Sequence, residues 1–268
     1  MSEAATLGPR VTTPPSDNES HLARETHDGR GAPATGDNPQ QNAHPTAAAP
    51  KLQEQPDWAY LLREFREMYR HSSAGGSTRI GSHQRRVRAL ISKASAANPS
   101  LAFEAPRRKP VVAHLKRALD NGRLLSTAPL IRAVESIADN LDWKYGYERV
   151  PKALAERYAY AEILGPNGPI VFDDLILGLV LFAPKCVYPA HSHAGITESY
   201  YCLSGAVSEN DDGVYAPGSM IYNPPGRNHR ITVCASEPCL LAYAWEGPSE
   251  KLVGHEFSFN RGTSAAKK

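Results

Sequence analysis

The hydrophobic period changes once along the chain, near residue 148, and this change limits the possible folds more than any other feature. From about residue 56, apolar residues recur every three or four positions, as on one face of an α-helix. After residue 148 the chain becomes a series of short runs rich in β-branched and aromatic residues, separated by Gly, Pro, Asn and Asp. Such runs are typical of an all-β sandwich or barrel. We therefore expect a mainly β protein of α+β type, with its helices first.

Four segments of the helical region, 56–147, predict helices. Asn121-Gly122 is placed to end the third segment, and Thr127 is placed to cap the fourth. The segments read PDWAYLLREFREMYRHSS, SHQRRVRALISKASA, RKPVVAHLKRALDNG and TAPLIRAVESIADNL. We expect the helical region to pack on the β region or against a second copy in a homodimer.

The remaining segments follow from composition. Residues 1–55 are rich in Pro, Ala, Thr, Asn, Gly and Asp and have almost no aliphatic clusters. Such a segment buries too little apolar surface to offset its ordering entropy, so it predicts a disordered tail. The β region is expected over 148–260, with a short C-terminal tail at 261–268.

Composition also argues against several classes of function. The chain has 30 Lys and Arg against 28 Asp and Glu, a net charge of +2, which does not indicate a nucleic-acid partner. No apolar run reaches the roughly 18 residues of a membrane span, and no apolar leader opens the sequence. The four cysteines include no Cys-x-x-Cys pair, which argues against a zinc ribbon. We expect a cytoplasmic protein with reduced thiols.

The segment YPAHSHAGITESYYCLSG, 188–205, concentrates groups that bind metal ions. Residues i and i+2 of a strand point to the same face, so His191 and His193 can both point inward. Glu198 follows after four residues, and His229 lies further along. A single His-x-His is more often a solvent-facing pair. Two or three imidazoles with one carboxylate, however, suit a divalent transition metal, namely Zn, Fe, Mn, Co or Ni.

The spacing of these residues resembles the two motifs of the cupin superfamily, over roughly residues 170–250. The first block is His-x-His, four residues, Glu198, six residues and Gly205. The second is Gly218, five residues, Pro224-Pro225-Gly226, two residues and His229, with Val233 where the family often has asparagine. The resemblance implies a double-stranded β-helix, a small barrel of two packed sheets with the metal at its centre.

Two tyrosines narrow the resemblance to the dimethylsulfoniopropionate (DMSP) lyases of the cupin type. That family has a tyrosine three residues before the first ligand histidine and another two residues after the ligand glutamate. Here these are Tyr188 and Tyr200. The block GVYAPGSMIYNPPGRNHRITV looks most like the DddL-type branch. One departure is the gap between His193 and Glu198, which is four residues where some relatives have three.

The resemblance implies cleavage of DMSP to acrylate and dimethyl sulfide by β-elimination. The metal would bind the substrate carboxylate, and a tyrosinate would remove the proton. Tyr200 is the expected base, and Tyr188 is the second candidate or an orienting hydroxyl. Aromatic faces attract cations such as the sulfonium. Candidates for this role are Tyr222, Tyr243 and Trp245, with Trp143 and Tyr145 from the helical region; His255 is expected at the surface.

Two alternatives stay open at this point. One is another metal-dependent cupin enzyme, such as a dioxygenase or an isomerase, and an oxygenase would show oxygen uptake. The other is a non-catalytic cupin that binds a small ligand, as in regulators. Regulators usually carry a DNA-binding module, and the helical segments show no clear helix-turn-helix signature.

Overall fold

The computed structural model describes residues 48–147 and 149–254. The predictions for residues 1–47, for His255 and for the C-terminal tail lie outside the described residues. Short 3₁₀ turns occupy Leu52–Glu54, Pro110–His114 and Ala138–Asn140. The helices are α1 (Pro56–His71), α2 (Thr78–Ala97), α3 (Leu115–Gly122), α4 (Ala128–Ser136), α5 (Lys152–Ala155) and α6 (Ser249–Val253).

Ten strands form two sheets. One sheet has six strands in the order β2-β1-β3-β10-β5-β8, and the other has four in the order β4-β9-β6-β7. All strand pairs are antiparallel except β1 with β2. The strands are β1 (Tyr158–Gly165), β2 (Ile170–Val171), β3 (Leu175–Phe182), β4 (Val187–His191), β5 (Thr197–Ser204), β6 (Val207–Glu209), β7 (Val214–Tyr215), β8 (Met220–Asn223), β9 (His229–Val233) and β10 (Cys239–Glu246).

The six-stranded sheet is covered on both faces, which explains the unbroken apolar run of β3. All eight residues of that strand are buried. Leu177 and Leu179 belong to a core that is shared with the helices. Val180 and Phe182, which alternate with them, belong to a second core that is shared with the four-stranded sheet. The helices therefore pack on the outer face of this sheet, and the four-stranded sheet covers its inner face.

The fold class predicted from the sequence is confirmed, since helices come first and two β-sheets follow. The two packed sheets match the arrangement that the cupin resemblance implies. The described strands nevertheless form a sandwich and not a closed barrel, because each sheet has its own edge strands and no ladder joins the two sheets. No helix among the described residues has the length and apolar character needed to cross a bilayer.

The predicted N-terminal tail extends too far along the chain. Leu52 is only 1% exposed and belongs to the core beneath the helices. The backbone N–H of Leu52 donates to Pro99 O at 2.9 Å, and the N–H of Leu101 donates to Pro50 O at 2.8 Å. Residues 50–55 therefore belong to the fold. One buried leucine anchors them, and the polar composition around it hides this from the sequence.

Two predicted helix signals lie where they were expected but act through other contacts. Thr127 is the N-cap residue of α4, yet its side chain makes no capping hydrogen bond; its hydroxyl donates to Leu203 O at 2.8 Å and so ties the helices to β5. Gly122 is the last residue of α3, and Arg123 after it keeps right-handed helical geometry. A Cβ at Gly122 would lie 2.6 Å from the Ile131 side chain, so this glycine allows α3 and α4 to pack closely.

Candidate metal centre and active-site cavity

Both sheets contribute to a cluster of four metal-ligand side chains. His191 ends β4 and pairs in register with His229 at the start of β9. His193 lies in the loop that follows, and Glu198 is the second residue of β5 in the other sheet. One ligand atom from each of the four residues lies within 4.8 Å of the others. The structure thus brings together all four predicted ligands, and the four-residue gap before Glu198 does not separate them.

Glu198 is an ionised carboxylate at the centre of this cluster. Its Oε2 lies 2.8 Å from His229 Nε2, and its Oε1 lies 3.6 Å from His193 Nε2. Burial alone would raise the pKa of Glu198, but His193 and His229 outweigh it and hold that pKa well below its usual range. Burial, assisted by His229, lowers the pKa of His191 to about 4, so this imidazole is neutral at neutral pH. A neutral imidazole and a carboxylate are the ionisation states that bind metals.

Backbone carbonyls orient two of the imidazoles. His191 Nδ1 lies 2.9 Å from Pro189 O, and His229 Nδ1 lies 3.1 Å from Arg227 O. Donation from Nδ1 to a carbonyl fixes each ring and turns its Nε2 toward the cluster, where Nε2 of His229 faces Glu198 Oε2. Metal-ligating histidines are commonly held in this way. The donor set and its orientation therefore fit a divalent transition metal, without selecting among Zn, Fe, Mn, Co and Ni.

Neighbouring strands hold the Glu198 carboxylate on both sides. Trp245 Nε1 donates to Oε1 at 2.7 Å, and Asn223 Nδ2 donates to Oε2 at 3.3 Å. Both residues are direct cross-strand partners of Glu198, on β10 and β8 respectively. Trp245 is a predicted substrate contact, and the structure adds a hydrogen bond by which its indole orients the candidate metal ligand Glu198. Asn223 was not predicted, although its position two residues after the buried Ile221 indicates the same inward face.

A narrow aromatic cavity adjoins the cluster on the inner face of the six-stranded sheet. Its water-accessible volume is about 20 Å³, close to that of a single water. The side chains around it are Tyr158, Tyr160, Val180, Phe182, Tyr188, Glu198, Tyr200, Tyr243 and Trp245. Four of the seven aromatic residues predicted for the site, namely Tyr188, Tyr200, Tyr243 and Trp245, therefore line one cavity beside the predicted ligands.

The two tyrosines predicted for catalysis are fully enclosed in this cavity. The Tyr188 hydroxyl donates to the Tyr147 hydroxyl at 3.1 Å, and its ring meets the His191 ring edge-on at 5.0 Å between centroids. The Tyr200 ring centroid lies 6.3 Å from that of His229. Burial, and next the Glu198 charge, raises the pKa of Tyr200 well above 10. Burial, and next Tyr147, does the same to the pKa of Tyr188.

Tyr222 lies away from the cavity, which does not support its predicted role in binding substrate. Ile221 and Asn223 of β8 point inward, so Tyr222 between them points outward, where its ring is 5.5 Å from His83 of α2. The two aromatic candidates from the helical region are also absent from the cavity wall. Trp143 is buried in the core beneath the helices. The Tyr145 hydroxyl donates to Ala155 O at 2.7 Å.

Two further tyrosines of the cavity wall, Tyr158 and Tyr160 of β1, are not among the predicted site residues. In YAYAE, Tyr158 faces the cavity side while Ala159 and Ala161 face the helices. Tyr160 lies on the same inward face as Tyr158 and lines the cavity as well. A period of two with tyrosine on one face and alanine on the other is the signal that could have identified them.

Comparison with known proteins finds one family. The model of the DMSP lyase family matches residues 83–241, more than half of the chain. DddL of Cereibacter sphaeroides, a protein named for DMSP lyase activity, is 54% identical over 202 residues, which are 75% of this chain and 87% of that protein. The DMSP lyase DddQ of Ruegeria pomeroyi is 26% identical over 114 residues, which are 40% of this chain and 56% of DddQ.

Solved structures agree on the fold. A chain from the crystal structures of the DMSP lyases RdDddP and RnDddQII aligns with a TM-score of 0.58 at 20% identity, covering 77% of this chain and 98% of that one. The crystal structure of DddQ from Ruegeria pomeroyi aligns with a TM-score of 0.57 at 20% identity, covering 77% and 97%.

The family inferred from the tyrosines and the ligand spacing is therefore confirmed, and with it the class of enzyme, a carbon–sulfur lyase. The chain belongs to the DMSP lyase family.

Proposed function

We propose that this protein cleaves DMSP to acrylate and dimethyl sulfide by β-elimination. One observation carries the proposal, namely a tyrosine-lined cavity that adjoins a buried cluster of three histidines and one glutamate in a chain of the DMSP lyase family. In the reaction a base removes a proton from the carbon next to the carboxylate. A double bond forms between the two methylene carbons, and the C–S bond breaks with its electron pair on sulfur. Dimethyl sulfide leaves as a neutral molecule and needs no proton.

His191, His193, Glu198 and His229 would hold the divalent metal. Bound there, the ion would act as a Lewis acid that offsets the charge of the substrate carboxylate, which otherwise opposes removal of the adjacent proton. The protein contributes an oriented ligand set and a site from which water is almost excluded, since each of the four side chains is at most 4% exposed.

Tyr200 is the proposed base. It lies two residues after Glu198 on the same inward face of β5, and its hydroxyl is subject to the Glu198 charge. That charge and burial keep the phenol protonated, so a base role requires positive charge nearby, as the ligand cluster would provide when loaded. Tyr188 takes the alternative role of orienting hydroxyl, because its own hydrogen bond to Tyr147 fixes its direction.

Tyr243 and Trp245 are the proposed partners of the sulfonium. Their rings are 5.4 Å apart, and both lie on the cavity wall. An aromatic face attracts a cation by about 0.5–2 kcal/mol without reacting with it.

The test is turnover by purified protein that has been reconstituted with a divalent metal, with headspace dimethyl sulfide and dissolved acrylate both measured. Tyr200→Phe should keep the fold and the bound metal and lose nearly all turnover. Tyr222→Phe is the matched control, since it removes a hydroxyl from the neighbouring strand on its outer face, and it should turn over as the wild type does. An active Tyr200→Phe together with an inactive Tyr188→Phe would show that the base is Tyr188.

A further inference from the structure

A second and larger depression lies beside the cavity, at the end of β1. This groove has a volume of about 510 Å³, within the range of about 300–1,000 Å³ typical of small-molecule sites. The adjoining cavity, at about 20 Å³, is far smaller. Residues that line the groove include Phe103, Arg107, Asp142, Lys144, Tyr160 and Glu162.

Tyr160 belongs to the walls of both the groove and the cavity. Its backbone is fixed, because its N–H donates to Lys144 O at 3.0 Å and its C=O accepts from Lys144 N at 2.7 Å. Rotation of the side chain alone would therefore change the separation between the two spaces without disturbing the strand.

Glu162 lies two residues after Tyr160, so its side chain leaves the same face of β1. Gly178 of β3 is the cross-strand partner of both Glu162 and Tyr243. A Cβ at Gly178 would lie 2.6 Å from the Tyr243 hydroxyl oxygen, so the tyrosine crosses β3 toward β1 only because this residue is glycine. Trp245, the next inward residue of β10, reaches Glu198. These side chains follow one another along the sheet from the groove to the metal-ligand cluster, and Tyr160 is the residue that the walls of both spaces share.

The cations of the groove are in contact with carboxylates other than Glu162. Asp142 pairs with Arg107 at 2.7 Å and with Lys144 at 3.2 Å, and Glu104 lies 3.6 Å from Arg107. Among the described residues, Glu162 forms no contact ion pair; its carboxylate accepts the backbone N–H of Asn167, at 2.9 Å, and that of Gly168, and Lys144 attracts it from a longer distance. The groove thus holds two cations and three carboxylates. Burial raises the pKa of Glu162 to about 7, so an ionised carboxylate is present above neutral pH.

We propose that the groove and the cavity are two parts of one substrate path, that the Tyr160 side chain separates them, and that the Glu162 carboxylate selects ligands with a cationic head. The inference rests on the proposed function in one respect, since the cationic head would be the sulfonium of DMSP. A carboxylate that has no contact ion pair and lies beside the passage favours a positively charged ligand over a neutral one of the same shape.

Direct binding to the metal-reconstituted protein at pH 8 tests this. The probes are 3-(trimethylammonio)propanoate and 4,4-dimethylpentanoate, which share a carboxylate and a shape and differ in the charge of the head group. Calorimetry should show that wild type binds the ammonium acid about tenfold or more tightly than the neutral acid. Glu162→Gln, whose amide oxygen can still accept from Asn167, should bind the neutral acid as wild type does and lose most of that preference, keeping only the part that the rings of Tyr243 and Trp245 supply.

Glu104→Gln is the matched control. It removes a carboxylate from the same groove, but this carboxylate lies near Arg107, so the variant should keep the preference for the ammonium acid. The inference is overturned if Glu162→Gln keeps the full preference, or if it weakens the binding of both acids equally. It is also overturned if wild type binds the two acids with equal affinity, or binds neither. Dimethyl sulfide release from DMSP is measured separately, so failure of the proposed reaction is distinguishable from failure of the selectivity.

Discussion

Replacement of Trp245 by phenylalanine should weaken metal binding without disturbing the fold. The substitution keeps an aromatic ring against His193, whose ring centroid is 4.7 Å away, and removes the Nε1–H that donates to Glu198 Oε1 at 2.7 Å. Loss of an outer contact to a ligand typically lowers metal affinity by about 10- to 100-fold. This corresponds to about 1.4–2.8 kcal/mol, the range of a hydrogen bond to a charged group.

The chain contains a matched control for this substitution. Trp143 is 1% exposed, and its Nε1 has no hydrogen-bond partner among the described residues. Trp143→Phe therefore removes the same atoms from a buried site without removing a hydrogen bond. The assay is competition for Zn²⁺ or Co²⁺ between metal-free protein and a chromogenic chelator. A Trp245→Phe affinity within about twofold of wild type, or an equal loss in Trp143→Phe, would refute the argument that this indole orients the ligand.

Three further predictions concern stability, each measured by urea unfolding of metal-free protein. Burial raises the pKa of Glu162 from 4.5 to about 7, so the folded state binds more protons than the unfolded state between these pH values. The free energy of unfolding should therefore fall as pH rises through this range, by up to about 3 kcal/mol. Glu162→Gln should lack this loss, and a pH profile of the variant identical to that of wild type would contradict the assignment. Leu52→Ala should cost about 2–5 kcal/mol, whereas a cost below about 0.5 kcal/mol would place the start of the fold after this residue. Ser199→Ala should cost about 1–3 kcal/mol, because the Ser199 hydroxyl is 2.8 Å from His83 Nε2 and 2.7 Å from the Tyr69 hydroxyl; an unchanged midpoint would show that these two groups find other partners.

The residues of the candidate metal centre could be predicted from the sequence because the spacing of the cupin motifs identifies all four. A strand period of two accounts for the inward direction of His191 but not of His193, which lies in the loop after β4. The same rule explains the errors. Tyr222 is one residue away from the inward Asn223, and a single position along a strand reverses the face to which a side chain points.

The features of the fold that could not be predicted from the sequence depend on contacts between distant segments. The pairing of β1 with β3 brings Glu162 opposite Gly178, and only the three-dimensional structure shows that Tyr243 crosses that glycine. Thr127 has the residue type of a helix cap, yet its hydroxyl bonds to Leu203, 76 residues later. Local propensity offers Thr127 two roles, and tertiary packing selects one.

The proposed reaction is tested most directly by the release of dimethyl sulfide when metal is returned to metal-free protein. Wild type treated with a chelator should release no dimethyl sulfide from DMSP. Addition of one of Mn, Fe, Co, Ni or Zn should restore release together with an equal amount of acrylate, and His229→Ala should stay inactive with each metal. Equal release by chelator-treated and metal-loaded protein, or no release with any of the five metals, would contradict the proposal.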